Sequence, residues 1–67
     1  MIKFAERLKE LRIENGLTQT QLAKNTGVSQ AGLAHWEACT RIPNAAVVIV
    51  LAKYFGVTTD FLLGLTD

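Results

Sequence analysis

Few side chains in this sequence are of types that do chemistry. The single histidine and the single cysteine, His35 and Cys39, lie four positions apart. No serine or cysteine has a histidine and an acidic partner at a spacing that suits nucleophilic catalysis, and no glycine-rich phosphate loop is present. Two ligands do not complete a protein metal site, which takes three or four. We therefore expect no enzymatic activity, no metal and no cofactor.

Length and composition favour one small domain over residues 1–67 that folds by packing alone. The chain is close to the smallest size that folds without added cross-links, and its one cysteine excludes an internal disulfide. Hydrophobic residues make up 49% of it, and one proline with five glycines leaves no room for a linker. A compact all-helical unit is the economical interpretation.

Charge and hydropathy restrict the partners and the location. The longest apolar run, residues 45–52, is far shorter than the roughly 20 residues of a membrane-spanning helix, and no signal-peptide pattern opens the chain. We therefore expect a cytoplasmic protein with no membrane partner. The formal net charge of +1 leaves nucleic-acid binding open, because it is far from strongly basic.

The first two helices are predicted by apolar spacing and capping residues. Phe4, Leu8 and Leu11 recur at i, i+4 and i+7, which predicts an amphipathic helix over residues 3–15 that stops at Asn15-Gly16. In the stretch LTQTQL, Thr18 is the cap and Gln21 completes a capping box. A second helix should run over about residues 19–25.

Three more helices follow by the same reasoning. Val28 and the cap Ser29 begin a third helix over about residues 30–38. Pro43 and the cap Asn44 begin a fourth, which ends at Gly56. A fifth begins with Val57 and Thr58 and ends near Gly64. The prediction is an all-α fold of five short helices with no strand.

Helices two and three, joined by a turn with a glycine, satisfy the requirements of a helix-turn-helix. The segment LRIENGLTQTQLAKNTGVSQAGLAHWE, the proline after it and LAKYFGVTTDFLLG resemble the lambda-repressor and Cro-type DNA-binding domain of phage and bacterial regulators. The resemblance covers nearly all of residues 4–64. It implies a five-helix domain with its helix-turn-helix at about residues 19–38. The implied function is a sequence-specific transcriptional regulator, a repressor, that binds double-stranded DNA.

The resemblance also assigns the residues that grip the DNA backbone. In the family, the start of helix two and the loop after helix three contact phosphates, while helix three enters the major groove. The residues carried over to phosphate contact are Thr18, Gln19, Thr40 and Arg41. Gln19 has independent support, because an amide donor beside a helix N-terminus suits a phosphate oxygen.

A projection of helix three with Leu33 inward leaves a weakly polar outward face. Gln30 lies at its N-terminal shoulder and is suited to a bidentate pair with adenine. His35 is placed to donate to guanine N7 or O6, or to touch a phosphate. Ala31 and Ala34 offer only methyl contacts, best matched to thymine. We therefore expect few direct base contacts from this helix.

Four further residues lie behind helix three or at its end. The resemblance pairs Arg12 with Glu37, an ion pair that fixes the reading helix against helix one. Trp36 is most simply part of the core. Cys39 stands where relatives usually have a glycine, so either the turn is reshaped or some backbone strain is accepted.

Helix four carries an apolar outward patch that predicts a partner surface. With Val48, Leu51, Ala52 and Phe55 inward, the predicted interface comprises Ala46, Val47, Val50 and Tyr54. Monomers rarely show such a patch to water, so we expect a homodimer that reads two half-sites of a palindromic operator. A terminal tail or a second domain covering the patch is the alternative.

The weak reading face leaves one alternative function open. The chain could be a protein-interaction module, antitoxin-like or antirepressor-like, that keeps the fold with a weakened DNA-reading helix. Salt dependence distinguishes the two, because binding to phosphates weakens steeply as salt rises. Binding to an apolar protein partner should change little.

Overall fold

A computed structural model describes residues 2–67; Met1, part of the predicted domain, lies outside this range. The helices are α1 (Ile2–Glu14), α2 (Gln19–Thr26), α3 (Gln30–Glu37), α4 (Ala45–Phe55) and α5 (Thr59–Leu63). Residues 2–67 contain no strand, and the predicted all-helical fold is confirmed. The predicted boundaries are wrong by only one residue at the two ends of α1 and at the C-terminal ends of α2 and α3.

Four helices begin with a side-chain cap at the residue that the sequence predicts. Each cap residue has extended backbone, and its side-chain oxygen accepts the backbone N–H three positions ahead. This satisfies one of the N–H groups that a helix start leaves without a partner. The pairs are Thr18 with Gln21, Ser29 with Gly32, Asn44 with Val47, and Thr58 with Phe61.

The turn between α2 and α3 depends on Gly27. Its φ of 78° lies in the left-handed region, where a side chain is disfavoured, and its N–H donates to Ala23 O. The chain thereby leaves α2 and reaches Ser29, the N-cap of α3, after only two residues. This short turn holds the two helices in the helix-turn-helix arrangement.

The core is formed by apolar residues from all five helices. Helix α3 packs against α1 and α2, and α5 packs against α1 and α4. Trp36 lies in this core, as expected. The fully buried large side chains are Phe4, Leu8, Leu22, Leu33, Leu51 and Leu62. Burial of α3 on its inner side leaves its other side available for contacts outside the domain.

Arg7 fastens α5 to α1, a contact that sequence reasoning did not anticipate. Its guanidinium donates to Phe61 O and Thr66 O, and it lies 4.2 Å above the Phe61 ring centroid. One cation thus bonds to a carbonyl in the last turn of α5 and to a carbonyl beyond that helix, and it packs on the Phe61 ring. No helix within residues 2–67 is long and apolar enough to cross a membrane.

Candidate nucleic-acid interface

The inner side of α3 is anchored by Leu33 and Trp36. Leu33 is fully buried and Trp36 nearly so. The indole lies over Gly32, one turn towards the N-terminus, as helical side chains tend to do. A Cβ on Gly32 would lie 2.8 Å from Trp36 Cζ2. Gly32 is therefore the residue that lets Trp36 pack closely against its own helix.

The structure brings Arg12 and Glu37 together in a two-point ion pair. Arg12 Nε donates to Glu37 Oε2 at 2.8 Å, and Nη2 donates to Oε1 at 2.9 Å. A third bond runs from Nη1 to Leu17 O at 2.8 Å, and the Glu37 side chain is only 5% exposed. The hydrogen bond to Glu37 raises the pKa of Arg12; the charge of Glu37 adds to this, and partial burial opposes it. The pair fixes the C-terminal half of α3 against α1.

Gln19 joins this pair at the start of α2. Its side-chain amide donates to Glu37 Oε1 at 3.3 Å, and the residue is half-buried. An amide NH₂ has two hydrogens, so one remains for an outside acceptor. Next to it, exposed Thr18 accepts from Gln21 N and keeps its own hydroxyl proton. Phosphate contact by Thr18 and Gln19 stays a prediction, and both residues retain a donor for it.

The outer side of α3 is exposed and built from small side chains. Gln30, Ala31 and Ala34 are exposed, and His35 is half-buried. Within residues 2–67 the Gln30 amide makes no hydrogen bond, so both its donors and its acceptor are available. The exposure of Gln30, Ala31 and Ala34 agrees with the projection of α3, whereas His35 is more covered than the projection predicts. Their contact with DNA stays a prediction.

The C-terminal end of α3 keeps the geometry of a glycine-ended helix although Cys39 occupies the glycine position. Cys39 has a φ of 60° and is exposed. Its N–H donates to Trp36 O at 3.2 Å, and Thr40 N–H donates to His35 O at 2.9 Å, which are the two bonds of a Schellman motif. Of the two expectations for Cys39, accepted strain is the correct one.

Thr40 and Arg41 follow this helix end in different situations. Thr40 is exposed, and its side chain bonds to His35, with Oγ1 2.9 Å from Nδ1. Arg41 is exposed and makes no ion pair or hydrogen bond within residues 2–67. Arg41 is therefore available for a phosphate, whereas the Thr40 side chain is already bonded to His35 of α3.

A groove lies where α1, α2 and α3 meet. Among its lining residues is Lys9, which is exposed and was not predicted as a site residue. Lys9 precedes Arg12 by three positions, a spacing that places both on one helix face and could have indicated it. The lining residues are Lys9, Arg12, Gln19, Ala34, Glu37 and Ala38.

Comparison with known proteins decides the family. The sequence model of the family described as helix-turn-helix matches residues 8–62. The chain belongs to the helix-turn-helix family. The resemblance drawn from residues 4–64 is thereby confirmed. The crystal structure of the restriction-modification controller protein C.AhdI from Aeromonas hydrophila has the same fold, with a TM-score of 0.81 and 30% identity over 91% of this chain and 92% of that chain.

Curated relatives of this helix-turn-helix chain are described as transcriptional regulators. The uncharacterised HTH-type transcriptional regulator YobD of Bacillus subtilis (strain 168) is 34% identical over 64 residues, which are 96% of this chain and 57% of that protein. The HTH-type transcriptional activator BcrR of Enterococcus faecalis is 39% identical over 62 residues, which are 92% of this chain and 30% of that protein. The chain spans less than two thirds of either relative.

The helix-turn-helix domain exposes apolar side chains on α4, on residues that differ slightly from those predicted. Ala46, Val50 and Tyr54 are exposed, and Tyr54 OH accepts from Asn25 Nδ2 at 3.0 Å. Val47 is half-buried and packs on the core, whereas Ile49 is 46% exposed. We define the α4 patch as Ala46, Ile49, Val50 and Tyr54. Val47 is thus more covered than the other predicted interface residues, and its part in an interface stays a prediction.

Proposed function

We propose that this chain is the DNA-binding domain of a sequence-specific transcriptional regulator, which places α3 in the major groove of its operator. The observation that carries the proposal is the outer side of α3, where the Gln30 amide has no partner within residues 2–67 and small side chains surround it. Membership of the helix-turn-helix family and relatives described as transcriptional regulators support it. The domain acts by binding and not by catalysis.

The contacts divide between backbone and bases. Thr18 and Gln19 contact phosphates on one flank of α3, and Arg41 contacts them on the other. Thr40, which the resemblance also assigns to phosphate contact, is instead bonded to His35. Small side chains at Ala31 and Ala34 let the helix backbone approach the bases closely. Gln30 and His35 then supply the polar readout, and the two alanines supply methyl contacts. With so few direct contacts, DNA shape contributes part of the specificity.

The domain acts as a homodimer through the α4 patch. Val50 is 39% exposed and Ile49 is exposed still further, which is costly in water and favourable in an interface. A single domain with a net charge of +1 gains little binding energy from phosphate contacts. Two domains on a palindromic operator add the binding energies of two half-sites. The half-sites then lie about 34–36 Å apart, one turn of the duplex.

The simplest regulatory outcome is repression by occupancy. A domain that sits on a promoter excludes other proteins without any further surface, whereas activation needs an added contact. The test of the sign is a reporter driven by the selected operator. Lower expression when the protein is present supports repression, and higher expression contradicts it.

Selection from random duplexes followed by a salt titration tests DNA binding itself. We expect enrichment of a two-fold symmetric sequence and an affinity that falls steeply between about 50 and 200 mM salt. Enrichment of no sequence, with an affinity indifferent to salt, contradicts the proposal. If the protein also bound an apolar protein partner, that result would favour the protein-interaction module. The alanine-rich outer side of α3 is the observation that supports this alternative.

Light scattering on the Val50→Glu variant tests the dimer. A carboxylate in the centre of the α4 patch should give a monomer, because a charge buried without a partner is strongly unfavourable. Ile13→Glu is the matched control, since Ile13 is an exposed apolar residue on α1. An unchanged mass for Val50→Glu, or an equal loss for Ile13→Glu, contradicts an interface at this patch.

A further inference from the structure

The hydroxyl of Thr40 makes two short contacts with one residue of the reading helix. Thr40 Oγ1 lies 2.9 Å from His35 Nδ1 and 3.1 Å from His35 O. The left-handed conformation of Cys39 and the bond from Thr40 N–H to His35 O place the two residues against each other. The contact is therefore a consequence of how α3 ends.

Counting protons decides the direction of the two bonds. A threonine hydroxyl has one proton and two lone pairs. If that proton pointed at Nδ1, a hydroxyl lone pair would face the carbonyl oxygen at 3.1 Å, which is repulsive. If it points at the carbonyl, Nδ1 must carry a hydrogen and donate to Oγ1, and both contacts are favourable. The network therefore assigns the hydrogen of the neutral His35 ring to Nδ1.

This assignment sets what the other ring nitrogen offers. In a neutral imidazole with a hydrogen on Nδ1, Nε2 is an acceptor. His35 Nε2 makes no hydrogen bond within residues 2–67. In the major groove, an acceptor pairs with the amino group of adenine N6 or cytosine N4 and is repelled by guanine N7 and O6. The neutral ring is thus suited to adenine or cytosine, and not to the guanine that the sequence analysis expects.

We propose that Thr40 is a specificity-determining residue, which positions His35 as an acceptor so that α3 selects adenine or cytosine at one base of each half-site. The proposal rests on the proposed function, because it requires α3 in the major groove. In this proposal Thr40 acts on base selection through His35, and this replaces the phosphate contact implied by the resemblance. Ala31 and Ala34, also on the outer side, carry no polar group that could make this selection. Gln30 could select adenine, but at another base, because it lies more than one helical turn before His35.

Nuclear magnetic resonance of the free protein tests the first half without DNA. The chain has one histidine, so long-range nitrogen–proton correlations report His35 alone. At about pH 8.5, where histidine rings are neutral, we expect the hydrogen on Nδ1 in the wild type and in Thr40→Ser. Thr40→Val, which keeps the shape without the hydroxyl, should shift it towards Nε2. A hydrogen on Nε2 in the wild type overturns the proposal.

Site selection with the same proteins, at the same pH, tests the second half. Wild type and Thr40→Ser should prefer adenine or cytosine over guanine at one position by roughly five- to tenfold, the value of one net hydrogen bond. Thr40→Val should lose that preference or turn to guanine, and His35→Ala should have none there. An unchanged preference in Thr40→Val, or an even loss of affinity across all sequences, overturns the role of Thr40.

The two proposals fail in different ways. If the wild type selects no DNA sequence, the proposed function fails, and base selection by His35 fails with it. Suppose instead that the wild type selects an operator, but that His35→Ala loses no preference for adenine or cytosine at any position. Then only the inference about Thr40 and His35 fails. The salt titration and the other operator positions then still support DNA binding.

Discussion

The two sides of α3 are built on opposite principles. On the inner side Leu33 and Trp36 are buried, and both carboxylate oxygens of Glu37 accept hydrogen bonds from Arg12. On the outer side Ala31 and Ala34 are exposed, and the Gln30 amide makes no hydrogen bond within residues 2–67. The inner side thus determines where the helix lies, and the outer side determines what it contacts. Because the two sets of residues do not overlap, stability and recognition should be separable by substitution.

Removing Arg12 should produce the largest loss of stability. Arg12→Met leaves the Glu37 carboxylate buried with only the Gln19 amide beside it, which should lower the free energy of unfolding by about 3–5 kcal/mol. Urea denaturation measures this. The Arg12→Met, Glu37→Met double variant should recover much of the loss, because no buried charge remains. A double variant as unstable as Arg12→Met alone contradicts this account of the pair.

Substitution of Gln30 should change recognition and leave stability alone. Gln30→Ala should relax the preference at one base position by about 1–3 kcal/mol, the value of a bidentate base contact. Site selection measures the preference, and the urea midpoint should stay within experimental error because Gln30 is exposed. Arg41→Ala is the control, since loss of a phosphate contact lowers affinity evenly across sequences. An unchanged base preference in Gln30→Ala removes Gln30 from the reading residues.

Gly32→Ala should destabilise the domain although alanine favours helices. The new Cβ would meet Trp36 Cζ2 at 2.8 Å, and overpacking of a buried ring should outweigh the propensity gain, for a net loss of about 1–2 kcal/mol. The thermal midpoint should fall. The Trp36→Phe background provides the control, because phenylalanine lacks the indole atoms that clash. There Gly32→Ala should become neutral or stabilising; an equal loss in both backgrounds contradicts the steric explanation.

Cys39→Gly should give the smallest effect, a gain in stability of about 1 kcal/mol. Cys39 has a φ of 60°, and a residue with a Cβ pays for the left-handed conformation that glycine adopts freely. Cys39→Ala is the control: it removes the thiol, keeps the Cβ and should give no gain. Equal urea midpoints for the two variants would show that the left-handed backbone is not the source of strain.

The parts of the fold that sequence reasoning predicted best are local. A cap such as Thr18 acts on a backbone N–H three residues ahead, so its effect is visible in a short window of sequence. The contact of Arg7 with Phe61 joins residues 54 positions apart, and no local pattern indicates it. Arg12 and Glu37, 25 positions apart, were paired only through the family resemblance.

What sequence reasoning missed at the candidate site has physical causes of the same kind. A helical projection gives angles, whereas the neighbouring helices decide how much of each side chain they cover, so it could not predict the half-burial of Val47. The bond between Thr40 and His35 was missed because it depends on Cys39 taking a left-handed backbone, which a cysteine rarely does.

A titration of isotope-labelled protein with its selected operator, followed by amide chemical shifts, tests the central claim most directly. If the outer side of α3 meets DNA, the largest changes should fall at residues 18–19, 30–35 and 40–41, with small changes over 46–54 beyond those that dimerisation alone produces. Changes confined to residues 46–54, or no changes at all with the selected duplex, would contradict a DNA-reading α3.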